Sequence, residues 1–325
     1  MTLCRRTRPG ATDYPIEAVP ATAARDPTIR LASRGYRIPM GDILTGTCSW
    51  TDPALMRSGW YPTGHRSAEG RLRYYAERFA VVEADASYYA LPQERVSRMW
   101  AQRTPDGFTF DIKAFSLLTG HPTRQAVMPD GLPADPRDGG VLDHVWARFA
   151  QAVEPLRQTG RLGSVLFQFP PWLQPGARAE QVLAQTARRT AGWPIAVEFR
   201  HPDWWRAQQA ASTCSLLAEH GMSAVAVDMV QGLPSSLPPV APVTAQRLAV
   251  VRFHGRNPSW GRGSKEERFR YTYTRDELAQ WLPRLRELAR QTDRVHVLFN
   301  NCCGDASARA AEQMHRLLYA DHEQT

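Results

Sequence analysis

The feature that most constrains this chain is an alternation. Short runs rich in β-branched and aromatic residues recur, with longer stretches of helical periodicity between them, the order that builds a parallel sheet. Strands are predicted at Ile43–Ser49, Val81–Ser87, Phe108–Lys113, Gly163–Phe169, Ile195–Arg200, Ser223–Asp228, Leu248–His254 and Arg294–Asn300. Helical patterns fall near 70–79, 93–103, 141–158, 178–191, 203–220, 275–291 and 304–320, and the sixth sets Leu278, Leu282, Leu285 and Leu288 on one face. Eight strands with helices between them predict an α/β fold of the TIM type, a closed (β/α)8 barrel of parallel strands inside a ring of helices. An open doubly wound sheet is the alternative. The 325 residues suit a single barrel domain, assigned to residues 41–325. Residues 1–40 hold seven arginines against three acids in a segment rich in Ala, Thr and Pro, which predicts a flexible basic extension.

Composition narrows the function classes. No run of about 18 apolar residues is present, so no membrane partner is expected. Arg5 and Arg6 are not followed by an apolar stretch, so no secretory leader is read. The five cysteines have no framework spacing and fit a reducing cytoplasm. Half of the net charge of +8 sits in the basic extension, so the folded part is only mildly basic. That weakens a nucleic-acid partner relative to a solvated surface. Of the 40 basic residues only Lys113 and Lys265 are lysines, and of the two side-chain types only ammonium readily loses its proton near neutral pH.

The strands carry the chemical signal. Successive side chains of a strand point to opposite faces. In Ile195–Arg200 the bulky Ile195, Val197 and Phe199 oppose Ala196, Glu198 and Arg200; in 250–254 Val251 and Phe253 oppose Arg252 and His254; Phe110 and Ile112 oppose Asp111 and Lys113. Glu83, Asp85 and Ser87 share one parity, and strands four, six and eight offer Gln168, Asp228 and Asn300. The apolar parity is expected to face the helices and the polar parity the barrel interior, near the C-terminal strand ends where barrels keep their sites. Two readings compete: a self-neutralising structural ion network, and a functional pocket, which is preferred because barrel interiors otherwise favour branched aliphatics.

Aromatic residues follow the strand ends, among them Trp50, Tyr88, Tyr89, Trp172 and Trp260, and some of them could stack on a base or a sugar face. The segment from His254 to Lys265, with Arg256, Gly261, Arg262 and Gly263, lies where barrels often bind phosphate. No HExxH, CxxC, Walker or GxSxG pattern occurs, so neither a metal nor a cofactor is predicted.

Several of these segments together are specific. Gly46-Thr47-Cys48-Ser49-Trp50-Thr51-Asp52, Trp60-Tyr61-Pro62, Val82-Glu83-Ala84-Asp85-Ala86-Ser87-Tyr88-Tyr89, Gln168-Phe169-Pro170, Glu198-Phe199-Arg200-His201, His254-Gly255-Arg256 and Phe299-Asn300-Asn301 resemble the YecE-like family, domain of unknown function 72, from about Ile43 to Leu318. The resemblance implies a barrel and brings no established reaction. Relatives commonly carry Ser-Gly-Trp in the first motif and His after the paired Asn; here Cys48-Ser49-Trp50 and Cys302 stand there, so no role is carried to position 302.

The leading expectation is an enzyme acting on a small anionic, phosphorylated metabolite by metal-free acid–base chemistry. Glu198 is the expected general base or acid, with Lys113 as its electrostatic partner or a Schiff-base lysine, and Asp228 and Glu83 as further catalytic candidates. Arg200, Arg252 and Arg256 are expected to hold the anion, with Gln168, His254, Asn300, Asn301 and Trp50 contacting the substrate. A nucleic-acid-binding or repair protein of phosphoesterase type, and a non-catalytic barrel with a structural ion network, are the alternatives.

Overall fold

The computed structural model describes residues 41–319 apart from Pro136 and Gly263, and the expected basic extension at 1–40 lies outside the described residues. Eight parallel strands close into a barrel in sequence order: β1 (Asp42–Thr47), β2 (Val81–Ala84), β3 (Thr109–Lys113), β4 (Leu162–Phe169), β5 (Ile195–Phe199), β6 (Ser223–Asp228), β7 (Ala249–Phe253) and β8 (Arg294–Phe299), with β8 paired back to β1. The principal helices around it are α1 (Ala68–Ala76), α2 (Glu94–Gln102), α3 (Gly139–Gln158), α4 (Ala177–Arg189), α5 (Ala207–Glu219), α6 (Leu282–Gln291) and α7 (Ala306–Tyr319). The predicted TIM-type barrel is therefore the fold, and the open sheet is excluded by the β1–β8 ladder.

Two local departures from the predicted elements have physical causes. The expected strand through Ser87 stops at Ala84, because Asp85 turns helical (φ −65°, ψ −22°) and Ala86–Tyr89 forms a single helical turn. The expected helix over 275–291 is two pieces: Arg275–Ala279, started by a Thr274–Glu277 capping box, and α6, which carries Pro283 in its first turn, where the missing N–H costs nothing.

Cα partners on neighbouring parallel strands share a face, so the ladder registers sort the interior. Glu83 pairs with Asp111, Gln168 with Glu198, and Arg252 with Leu298, the polar parity inside as expected on these strands. On β6 the parity is reversed. Asp228 pairs with Phe253 and Val227 with Arg252, so Val225 and Val227 face inward while Ala224, Ala226 and Asp228 face the helix layer. Small alanines there let the outer layer approach closely.

Gly163 sits at the irregularity in the β3–β4 ladder, and a Cβ on it would lie 2.5 Å from Asp111 Oδ1 and 2.8 Å from His296 Cε1. Its bare backbone thus makes room for a buried pair in the lower barrel, where His296 Nδ1 lies 2.9 Å from Asp111 Oδ2.

Candidate functional site

The barrel interior is built in tiers. Below is the Asp111–His296 pair. Above it lies a buried ion cluster centred on Arg252, whose guanidinium donates to both oxygens of Glu83 (2.9 and 2.7 Å) and to Glu198 Oε2 (2.6 Å). Glu198 Oε1 accepts from Gln168 Nε2 (2.9 Å) and Arg200 (3.0 Å), and lies 3.0 Å from His254 Nε2. Asn300 Nδ2 reaches His254 Nδ1 at 2.9 Å. The network fits a neutral imidazole, with Nε2–H donating to Glu198 and Nδ1 accepting from the amide.

Charge arithmetic assigns the protons. One guanidinium stands between two dry carboxylates, and Glu198 collects four donors in all. Burial opposes the charge of Glu198, but His254, Arg252 and Arg200 facing it hold its carboxyl well below the usual range. Glu83 hydrogen-bonds Arg252 alone, and burial pushes its carboxyl up to about 7, with Asp85 adding to the rise and Arg252 and Lys113 opposing it. Burial pulls the His254 imidazole down to about 4. The Cys48 thiol, beside the cluster, is pushed well up by burial and by Glu83, so it is not an activated nucleophile.

The third tier opens at the C-terminal strand ends, into a cavity of about 380 Å³. Lys113, Asp85, Tyr88, Gln168, Asn300 and Asn301 line its floor and walls, and Gly304 and Ser307 at the start of α7 line its rim. Lys113 Nζ donates to Asp85 Oδ1 at 2.7 Å and sits 4.6 Å from the centre of the Tyr88 ring. Burial opposes its charge, yet Asp85 holds its pKa above the ordinary lysine value. Lys113 is thus a fixed ammonium; the neutral amine that a Schiff base needs is disfavoured. Asn301 donates to the Tyr271 carbonyl (2.8 Å), while its buried Oδ1 has no hydrogen-bond partner among the described residues.

The predicted site residues thus divide. Glu83, Lys113, Gln168, Glu198, Arg200, Arg252, His254, Asn300 and Asn301 gather in the upper barrel or its mouth. Three expected residues lie elsewhere. Asp228 faces outward and accepts from Tyr273 Oη (2.7 Å), Trp281 Nε1 (2.7 Å) and Arg256 (2.7 Å), pinning the segment after β7 to the barrel. Arg256 is committed to that carboxylate and lines a separate surface cleft with Gln280, Trp281 and Arg284. Trp50 is buried edge-on against Trp100 (5.1 Å between centroids) and Phe110. Glu198, expected as general base, is sealed under four donors.

Asp85 and His296 matter more than residue reading granted. In the sequence Asp85 stands out only as part of the polar parity of its strand. His296 was missed, although its alternation with Val295 and Val297 signals an inward position. Among the described residues, no three His, Cys, Asp or Glu side chains are grouped to hold a metal ion. No helix there is long and apolar enough to cross a membrane.

Comparison with known proteins agrees with this architecture. The profile of the family described as "Protein of unknown function DUF72" matches residues 44–325. The UPF0759 protein YunF of Bacillus subtilis (strain 168) is 31% identical over 282 residues, covering 85% of this chain and 94% of that protein. A DUF72 family protein (TM1631) from Thermotoga maritima MSB8 superposes with a TM-score of 0.70 at 29% identity, over 85% of this chain and 99% of that one. Another (EF0366), from Enterococcus faecalis V583, gives a TM-score of 0.72 at 24% identity over 86% and 98%, a likeness of fold alone.

Proposed function

The chain belongs to the DUF72 family, and we propose that it is an enzyme whose reaction takes place in the mouth pocket, on a small phosphorylated metabolite. The observation that carries this reading is the buried Lys113 ammonium at the floor of an open polar cavity that also borders the start of α7. A long helix presents first-turn N–H groups and a partial positive charge to whatever lies at its N-terminus. Lys113 and that helix end would hold the phosphate between them. The amides of Gln168, Asn300 and Asn301 would orient the rest of the ligand.

Asp85 takes the proton-transfer role in this proposal. It lines the pocket, and it touches Lys113, which would stabilise an oxyanion as the proton leaves the substrate. Glu198 and Arg252 serve as a fixed platform: they hold His254, and through it Asn300, in one orientation. The structural ion network of the alternative reading and the pocket are then two tiers of one device.

A thermal-shift screen against sugar phosphates tests this reading, run with wild type, Lys113→Arg and Lys113→Met. A ligand present at 100 times its dissociation constant adds about 2.7 kcal/mol of stability. The wild type is expected to respond to at least one sugar phosphate, and Lys113→Met to lose that response. Lys113→Arg keeps the charge but not the compact ammonium geometry, and is expected to respond weakly. A full response in Lys113→Met would remove the anion from this pocket.

A further inference from the structure

From the path of aromatic rings that leads out of the mouth pocket we infer that the phosphorylated ligand is a mononucleotide, its phosphate at Lys113 and its base stacked on the platform that ends at Trp172. The inference rests on the pocket reading above and adds the ligand class.

The rings form a continuous path out of the cavity. Lys113 Nζ lies 4.6 Å from the Tyr88 ring, Tyr88 is 5.3 Å from His121, and His121 is 5.7 Å from Trp172, centre to centre. Tyr89 packs edge-on against Tyr88 at 5.0 Å and lines the same cavity. Trp172 is 57% exposed and Tyr89 36%, two of the few large apolar side chains left open to solvent. A single exposed apolar residue means little; a run of rings leading into a polar pocket marks a binding surface.

The exposure of Trp172 is held in place. Leu173, the next residue, is buried, its N–H bonds to the Pro170 carbonyl (3.0 Å), and its own carbonyl accepts from Trp204 Nε1 (2.8 Å). Trp204 in turn stacks on Phe199 at the end of β5, 3.7 Å between centroids and 7° from parallel. A turn anchored this firmly presents its tryptophan outward.

Ring chemistry favours stacking over a second anion contact. His121 is pulled down to about 4 by burial and by Lys113, so the platform carries a neutral imidazole at physiological pH. His121 meets Trp172 edge to face, 66° between their planes, so the exposed indole offers its own flat face to a base and the neutral imidazole adds no charge beside it. A second cleft, of about 430 Å³, continues from the same two tyrosines past Ser116, Pro122 and Arg124.

The test compares adenosine monophosphate with ribose 5-phosphate, which share the phosphate and the sugar and differ in the base. Binding is measured by calorimetry on wild type, Trp172→Ala and Trp172→Phe. Wild type is expected to prefer the nucleotide by about 5- to 150-fold, the range that one base–aromatic stack supplies. That preference should collapse in Trp172→Ala and largely return in Trp172→Phe. Equal affinity of wild type for the two ligands, or a preference that survives in Trp172→Ala, overturns the nucleotide assignment and leaves the pocket reading standing. Failure of both ligands to bind overturns the nucleotide assignment, and together with silence toward every sugar phosphate in the thermal-shift screen it overturns the pocket reading itself. A 5′-phosphorylated single-stranded oligonucleotide that binds more tightly than the mononucleotide, with affinity falling steeply in salt, assigns the surface to a polymer instead.

Discussion

Glu83 shows how far one residue's surroundings decide its chemistry. It shares a single guanidinium with Glu198, lacks the other donors that Glu198 enjoys, and is pushed up to about 7 by burial. An unfolded glutamate titrates near 4.3, so between that value and 7 the folded chain binds a proton that the unfolded chain has lost. Stability contributed by this proton is present at low pH and is lost as pH rises toward 7. His254, pulled down to about 4, acts in the opposite sense, its contribution being lost as pH falls from about 6.5 toward 4. The two effects are separable in Glu83→Gln. Relative to that variant, the wild type is expected to lose stability from about pH 4.5 to 7, by up to about 1.4 kcal/mol per pH unit, and then to level off. Urea unfolding at several pH values reads this; a difference that is flat with pH would mean that Glu83 stays ionised. Glu83, Glu198, Arg252 and Lys113 were legible in the sequence as an inward polar parity. Their division of labour was not, because it depends on how many donors converge on each carboxylate from strands far apart in the chain.

At the scale of elements, the informative case is β6. On most strands a bulky apolar parity marked the outer face and left the polar parity inside. On Ser223–Asp228 the bulky Val225 and Val227 oppose Ala224, Ala226 and Asp228, so the same rule suggested an inward Asp228. The ladder turns it outward, where it ties together Tyr273, Trp281 and Arg256. Tyr273 Oη also accepts from the Gly255 N–H (2.8 Å), so the carboxylate fixes the start of the loop after β7 as well as its end. Asp228→Ala would orphan the buried tyrosine and indole donors and is expected to destabilise by about 3 kcal/mol, the scale of a lost charge-assisted bond with an unsatisfied partner. Asp228→Asn, which keeps one acceptor oxygen, is expected to lose less. If Asp228→Ala unfolded like wild type in urea while ligand response vanished, Asp228 would belong to the site after all. The end of β2 makes a similar point: the strand predicted through Ser87 stops at Ala84, yet the helical turn that follows still delivers Asp85 to Lys113.

For the molecule as a whole, the alternation of strands and helices was enough to give the closed barrel. Two features were beyond that reading. Closure brings β8 beside β1, so that Asn300 and Asn301 share a cavity with Cys48 and Ser49. The loops then direct Arg256 away from the mouth and leave Trp172 open to solvent. The net charge of +8 overstates the basic character of the interior, where Glu83, Asp85 and Glu198 face Arg252, Arg200 and Lys113. The central claim is that the Lys113 pocket is where an anion sits, and the most direct measurement is a crystal structure of the protein soaked in inorganic phosphate. The account predicts phosphate density within hydrogen-bond distance of Lys113 Nζ and beside Ser307 at the start of α7. Phosphate bound in the Arg256–Arg284 cleft with the mouth pocket empty would contradict it.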